Sequence, residues 1–391
     1  MTIEFLDARR VAHRLGHDHR LDPETVPLAV AHRRTLAAPI RARTAVPAVD
    51  TSAMDGWAVA GNGPWTLDGT VRMGVAPERP LAAGHALGIT TGGAVPVGTT
   101  AVLRTERGRA EGQMVTACPD APVLPAGADI RPAGEDVTCG GVVAAAGTRA
   151  TPAVIAAAAV AGADQVEVVR RPRVALVLLG DEVVDHGVPA PGQVRDAFGV
   201  SLPGIVQDLG MTVSNIAHVP DDRDAVEHAL RDADADLIVS TGGTGRGRCD
   251  HLVPALDELG AVVVARGIAM RPGHPTVLAR RGDGVPVLGL PGNPFAAMLA
   301  LITVGLPLCA GIVGSPAPAV LRRRTGRPLA GHPTGTRLVA VSDTPDGVVP
   351  VPHQGPAMVG GLVGADAIAV VPSAGVGVGG RVDVLALPWC R

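Results

Sequence analysis

Val174-Ala-Leu-Val-Leu-Leu179, stopped by Gly180, and Asp236-Leu-Ile-Val-Ser240, stopped by Thr241-Gly-Gly-Thr-Gly245, are the two runs on which the fold turns. An unbroken apolar run ending at glycine marks a strand buried on both faces, as in a parallel sheet. Around them, residues 200–209 have helical spacing, 211–219 read as a strand, and 221–232 and 250–259 read as helices. Further strands are expected over 261–269 and 285–290. Strand alternating with helix predicts a three-layer α/β domain with a mostly parallel sheet, over 171–315.

Working outward, residues 1–44 read as helix, with 26–36 a second polar-apolar segment. Residues 45–138 break into short runs such as Ala101-Val-Leu-Arg104 between Gly and Pro, which predicts a β-rich insert. Residues 139–170 return to small apolar side chains, with Thr151 as N-cap and Pro152 in the first turn of an Ala-rich helix. Residues 316–391 alternate Val, Gly and Pro and predict a small C-terminal β domain. The uncharged run from Phe295 to Val313 approaches the length of a membrane span, but Gly305 and Pro307 interrupt it and Asn293-Pro294 opens it like a capped helix. A buried core helix is the expectation.

The chain has 391 residues, 47% of them hydrophobic, and a formal charge of −3. Several cores can be buried, so disorder is excluded, and so is nucleic-acid binding driven by bulk charge. Lysine and tyrosine are absent, with three Phe and three Trp, so there is no aromatic platform for stacking bases. Cys118, Cys139, Cys249, Cys309 and Cys390 show no paired spacing, which predicts neither disulfides nor a zinc site. MTIEFLDARR lacks the form of a signal peptide, so a soluble cytoplasmic protein with no membrane or nucleic-acid partner is expected.

In an open α/β sheet, ligands bind outside the C-terminal strand ends. Three loops belong there: Gly180-Asp-Glu182, 241–250, and Leu290-Pro-Gly-Asn-Pro294. Gly242, Gly243 and Gly245 can turn backbone amides toward an anion. Asn293 before Pro294 offers a second set at a helix start. Glu182, Asp221 and Asp250 flank the same strand ends, where converging carboxylates suit a hard cation bridging to phosphate. Asp221 and Asp250 are also placed to cap the helices that follow them. Met270-Arg-Pro-Gly-His-Pro275 puts Arg271, a permanent cation, and His274, a cation only when protonated, on one stiff turn.

Ser52-Ala-Met-Asp-Gly-Trp-Ala58, Gly134-Glu-Asp-Val137, Gly180-Asp-Glu182, Gly192-Gln193, Ser240-Thr-Gly-Gly243 and Leu290-Pro-Gly-Asn-Pro294 follow in one order. Together they resemble the molybdopterin molybdenumtransferase family, relatives of the gephyrin E domain, with a weaker echo at His353-Gln-Gly355. The resemblance implies a multidomain α/β plus β architecture. A helical stalk would come from 1–44 with 139–170, followed by the insert at 45–138, a molybdopterin-binding domain at 171–315 and a C-terminal small β barrel at 316–391. It implies an elongated homodimer in which one subunit's insert completes the other's crevice. The implied reaction moves molybdenum from molybdate into adenylylated molybdopterin with release of AMP, and requires Mg²⁺. It leaves room for contact with a molybdopterin adenylyltransferase.

The family's functional positions fall on Asp55, Thr91, Asp136, Glu182, Asp221 and Asp250, with Arg337 matching a C-terminal arginine. The resemblance and the loops together assign pyrophosphate to Gly242, Gly243, Thr244 and Gly245 with Pro291, Gly292 and Asn293. They assign Mg²⁺ to Glu182, Asp221 and Asp250, and molybdate to Arg271, His274 and Arg337. Departures accompany the match. Trp57 replaces a tyrosine, Arg271 and His274 replace two lysines, Pro356 replaces a serine, and the 244–249 loop gains two arginines. The Gly-Gly-Thr-Gly loop with Asp250 also resembles the single-domain molybdopterin adenylyltransferases. A divergent paralogue that binds the pterin without inserting metal is a third reading.

Overall fold

The computed structural model describes residues 1–245, 247–248 and 250–389; Arg246, Cys249 and Cys390 from the readings above lie outside the described residues. Residues Arg173–Leu179 form an interior strand, second from one edge, of a six-stranded sheet. Their side chains alternate: Val174, Leu176 and Leu178 enter one core, and Val177 and Leu179 enter the other. Leu237–Thr241 does the same, with Leu237 and Val239 on the first side and Ile238 on the second. The period of two explains why both faces demand apolar residues.

Seven α-helices are described: α1 (Phe5–Asp18), α2 (Pro152–Val160), α3 (Phe198–Asp208), α4 (Arg223–Arg231), α5 (Leu252–Glu258), α6 (Pro294–Ala300) and α7 (Leu306–Ile312). Helices α4 and α5 cover one face of the sheet, while α3, α6 and α7 cover the other, giving three layers. A π-helical turn, Leu301–Gly305, joins α6 to α7 into one 19-residue apolar helix that is 94% buried. It is the core helix expected from the sequence.

Arg173–Leu179, Thr212–Val219, Leu237–Thr241 and Pro286–Leu290 pair in parallel. Val262–Arg266 and Val277–Arg280 add an antiparallel hairpin at one side, so the sheet is mixed. The second hairpin strand was not anticipated, because the proline-rich turn before it hid the short return.

The expected helix over 1–44 is corrected: only α1 and a 3₁₀ turn, Leu28–Val30, are helical there. Pro23–Pro27 is a strand paired antiparallel with Gln165–Val169, and Ile40–Arg41 pairs with Val142–Ala144. Pro23 and Pro27 lack the amides a helix needs and disfavour helical backbone before them. Thr151 caps α2 as expected, its Oγ1 accepting from the Val154 amide at 3.3 Å. The insert is a six-stranded sheet with a small core on each face, Ala58 and Val102 on one side and Val59, Ala101 and Leu103 on the other.

The C-terminal strands form a third six-stranded sheet, joined to the α/β unit by the parallel pair Met270–Arg271 and Thr336–Arg337. Leu338, Ala340, Ile368 and Leu385 share a core with α1 and the buried helix. Arg9, buried on α1, donates to the Thr303 carbonyl at 3.0 Å and the Pro318 carbonyl at 2.7 Å. Burial pulls its guanidinium below its ordinary pKa, and those carbonyls compensate the buried donors.

Helices α1 and α7 pack backbone to backbone. A Cβ on Gly16 would lie 2.1 Å from the Leu308 carbonyl oxygen, and one on Gly311 would lie 2.2 Å from that of His13. Gly→Ala inside a helix ordinarily stabilises by about 0.5–1 kcal/mol. Here Gly16→Ala is expected to cost about 1–3 kcal/mol through overpacking against backbone that cannot yield. Gly204→Ala in α3, where the added Cβ meets open space, is the control that should hold or raise stability. Urea midpoints of the two variants test this; equal midpoints would refute the backbone contact.

Candidate functional site

The strand after Arg173–Leu179 lies on one side of it and Leu237–Thr241 on the other. That reversal opens a crevice at the carboxyl ends of the two strands. A cleft of about 660 Å³ sits there, lined among others by Gly180, Glu182, Asp221, Gly242, Gly243, Thr244, Gly245, Asp250, Pro291, Gly292 and Asn293. The fold thus brings all three expected loops and all three expected acids to one cavity.

Gly242 (φ 84°) and Gly243 (φ 63°) take left-handed conformations that other residues rarely adopt. The Gly242 amide donates to the Leu290 carbonyl at 3.0 Å. Asp250 takes two more amides, accepting from Gly245 at 2.9 Å through Oδ1 and from Gly247 at 2.5 Å through Oδ2. The amides left without a protein partner among the described residues of the Gly242–Gly245 stretch are those of Gly243 and Thr244. The cradle is therefore narrower than the glycine count suggests, and Asp250 is the residue that folds it. At α6, Pro294 has no amide, and the Ala296 amide donates to the Pro356 carbonyl at 3.0 Å. Pro356 thus presents its carbonyl to the helix start.

The expected helix capping by Asp221 and Asp250 is corrected. Asp222 caps α4, accepting from the Ala225 amide at 2.9 Å, and His251 occupies the N-cap of α5 without a side-chain bond. Asp221 is half-buried instead, its amide donating to Asp181 Oδ1 at 3.2 Å. Burial, and then the negative charges of Glu182 and Asp181, push its carboxyl above the usual aspartate pKa. Glu182 is held beside Gly180: a Cβ there would meet Glu182 Oε2 at 2.7 Å. Among the described residues no three His, Cys, Asp or Glu side chains are close enough to hold one ion between them. Mg²⁺ normally takes one or two carboxylates and completes its shell with water and substrate phosphate. The frustrated Asp221–Glu182 pair fits such a partial site, and a three-carboxylate cage does not.

Arg271 and Arg337 are register partners in the parallel pair that joins the C-terminal sheet to the α/β unit. Among the described residues each guanidinium reaches only a backbone carbonyl, that of Met270 at 3.3 Å and that of Ala330 at 3.1 Å. Neither has a carboxylate partner among the described residues. Their turn borders the cleft through Pro275, and Ala357 faces it from the C-terminal side. His274 Nδ1–H donates to the Ile268 carbonyl at 2.8 Å, and the far edge of its ring lies by Gly267.

Asp55, Thr91 and Asp136 do not line this cleft. Asp55 Oδ1 accepts from the Thr91 amide at 2.6 Å and its hydroxyl at 2.9 Å, which lowers the Asp55 pKa. Pairing of Thr51–Ser52 with Ile130–Arg131 carries the Asp55 and Asp136 segments to one end of the insert, where both carboxylates are exposed.

Sequence reading missed Asp196. It lines the cleft while buried, accepting from the Phe198 amide at 2.7 Å, the Gly199 amide at 2.9 Å and His218 Nε2 at 3.0 Å. The signal was Asp196-Ala-Phe-Gly199, an acid followed by a glycine that leaves room for its oxygens: a Cβ on Gly199 would lie 2.3 Å from Asp196 Oδ2.

By linkage, an acid with a raised pKa binds its proton more tightly folded than unfolded, so stability falls as pH rises through that window. Asp221→Asn should therefore melt at or above wild type at neutral pH, with the advantage shrinking as pH falls through the raised pKa and gone below the ordinary aspartate range. Melting curves at several pH values check this; a constant offset would place the strain elsewhere.

Two family models match the chain: the MoeA N-terminal region (domain I and II) over residues 3–162, and a probable molybdopterin binding domain over 175–310. A molybdopterin molybdenumtransferase from Nostoc sp. is 33% identical over 72% of this chain and 67% of its own. Molybdopterin molybdenumtransferase 2 of Mycobacterium tuberculosis is 32% identical over 76% of each chain. A crystal structure of a molybdopterin biosynthesis protein from Pyrococcus horikoshii superposes with a TM-score of 0.77 at 25% identity, covering 99% of both chains.

Proposed function

The chain belongs to the molybdopterin molybdenumtransferase family, and we propose that this transferase of molybdenum cofactor biosynthesis inserts molybdenum from molybdate into adenylylated molybdopterin, releasing AMP. The observation that carries the reading is the single cleft joining Glu182, Asp221 and Asp250 to the glycine loop; Arg271, His274 and Arg337 stand outside its lining, which their neighbour Pro275 reaches.

The Gly243 and Thr244 amides, set by Asp250, receive the phosphate oxygens of the substrate. Pro291, Gly292 and Asn293 line the cleft next to the glycine loop, where a Cβ on Gly292 would meet the Gly242 Cα at 3.5 Å. Asp221 and Glu182 are the residues to hold Mg²⁺, which when bound polarises the phosphoanhydride as a Lewis acid. Arg271 and Arg337 draw in the molybdate dianion as two permanent cations. His274 has its Nδ1 proton committed to Ile268, leaving Nε2 as its one free position. Asp55, Thr91 and Asp136 act from the insert, and in a homodimer the insert of one copy completes the cleft of the other. The same reading takes 1–44 without α1, together with 139–170, as the stalk, the C-terminal sheet as a small barrel, and the protein as cytoplasmic.

A second reading, a molybdopterin adenylyltransferase, is favoured by the Asp250-folded glycine loop alone and leaves the insert without a role. A divergent pterin-binding paralogue is favoured by Pro356, whose carbonyl occupies an amide of α6. AMP release from adenylylated molybdopterin, measured with Mg²⁺ and with or without molybdate, separates all three. Molybdate-dependent release is expected, Glu182→Ala should abolish it with the fold intact, and Arg271→Gln with Arg337→Gln should raise the molybdate KM by about tenfold or more. Pterin binding without release would establish the paralogue, and ATP-dependent adenylylation the other enzyme.

A further inference from the structure

The strand Val320–Arg324 lies at the edge of the C-terminal sheet, and all five of its residues are exposed. It ends in three consecutive arginines. Antiparallel pairing sets Arg322 opposite Asp383 and Arg324 opposite Arg381. Only the first of these is neutralised, with Arg322 Nε donating to Asp383 Oδ1 at 3.1 Å. Arg324 and Arg381 face each other with no carboxylate partner among the described residues. Like charges directly opposite on neighbouring strands are unfavourable. One charged residue suffices to blunt an edge strand against aggregation, and a facing pair is not needed for that purpose.

Beside the pair is an open hollow of about 420 Å³, lined by Arg322, Arg323, Arg324, Gly379 and Arg381, with no acidic residue in its wall. Gly379 turns with φ 75°, and a Cβ there would sit 3.4 Å from Arg324 Nη2, so the turn stays clear beneath the guanidinium. The arrangement repeats the Arg271–Arg337 register pair at the opposite edge of the same sheet. We propose that Arg324 and Arg381 form a second oxyanion site, taking a doubly charged tetrahedral anion between two guanidinium forks. Planar guanidinium groups suit such oxygens, and the anion removes the repulsion that the register imposes. The site is independent of the transferase reading.

Calorimetric titration of inorganic phosphate at constant ionic strength tests it on the intact protein. Wild type should show saturable uptake. Arg324→Gln with Arg381→Gln should weaken it by about tenfold or more, and Arg324→Lys with Arg381→Lys should restore part of it. Both side chains are exposed and the Gln variant removes the facing charges, so its melting temperature in phosphate-free buffer should lie at or above wild type. Uptake undiminished in the Gln variant, no saturable uptake by wild type in the millimolar range, or loss confined to Arg271→Gln with Arg337→Gln would each overturn the proposal.

Discussion

The uninterrupted helical rod from Pro294 to Ile312 is the constraint on which the rest of the molecule depends. Its first turn closes the cleft, its middle forms the floor of the largest core, and its last turns are gripped by α1. Because α1 approaches α7 at backbone distance through Gly16 and Gly311, the N-terminal helix is part of the α/β unit. The π-helical turn leaves the Thr303 carbonyl to Arg9, which also ties down the chain entering the C-terminal sheet. One apolar rod thus orients three regions far apart in sequence.

Where burial is two-sided, the fold was legible. The apolar runs at 174–179 and 237–240 and the uncharged run after Asn293 each have only one low-energy reading, and the structure adopts it. Thr151-Pro152 was legible for the same reason: a hydroxyl before a proline fits a helix start and little else. Residues 20–44 were not. Their small core of Val26, Leu36 and Ile40 is completed by Val166 and Val168, more than a hundred residues away, so no local period announces the pairing.

The candidate site divides along the same line. Loops at strand ends are set by topology, so the meeting of Glu182, Asp221 and Asp250 with the glycine loop could be foreseen from strand order. What each acid does there depends on a few tenths of an ångström. Asp250 spends both oxygens on loop amides, Asp222 rather than Asp221 caps the helix, and Asp196 turns inward because Gly199 admits it. Spacing in sequence carries none of that. Arg271 was read from its proline-stiffened turn and Arg337 from resemblance, and their juxtaposition emerges only from the register of a two-residue strand.

The grip of α1 on α7 also orders events during synthesis. The apolar face of α1, with Phe5, Ala8, Ala12 and Leu15, has its partner surface almost three hundred residues downstream. At about 5–20 residues per second, the ribosome leaves that face exposed for about 15–60 s. The insert, whose strands pair among themselves, can fold in that interval. The first helix of the chain is thus among the last to be seated, and the nascent protein carries an unshielded amphipathic segment through most of its translation.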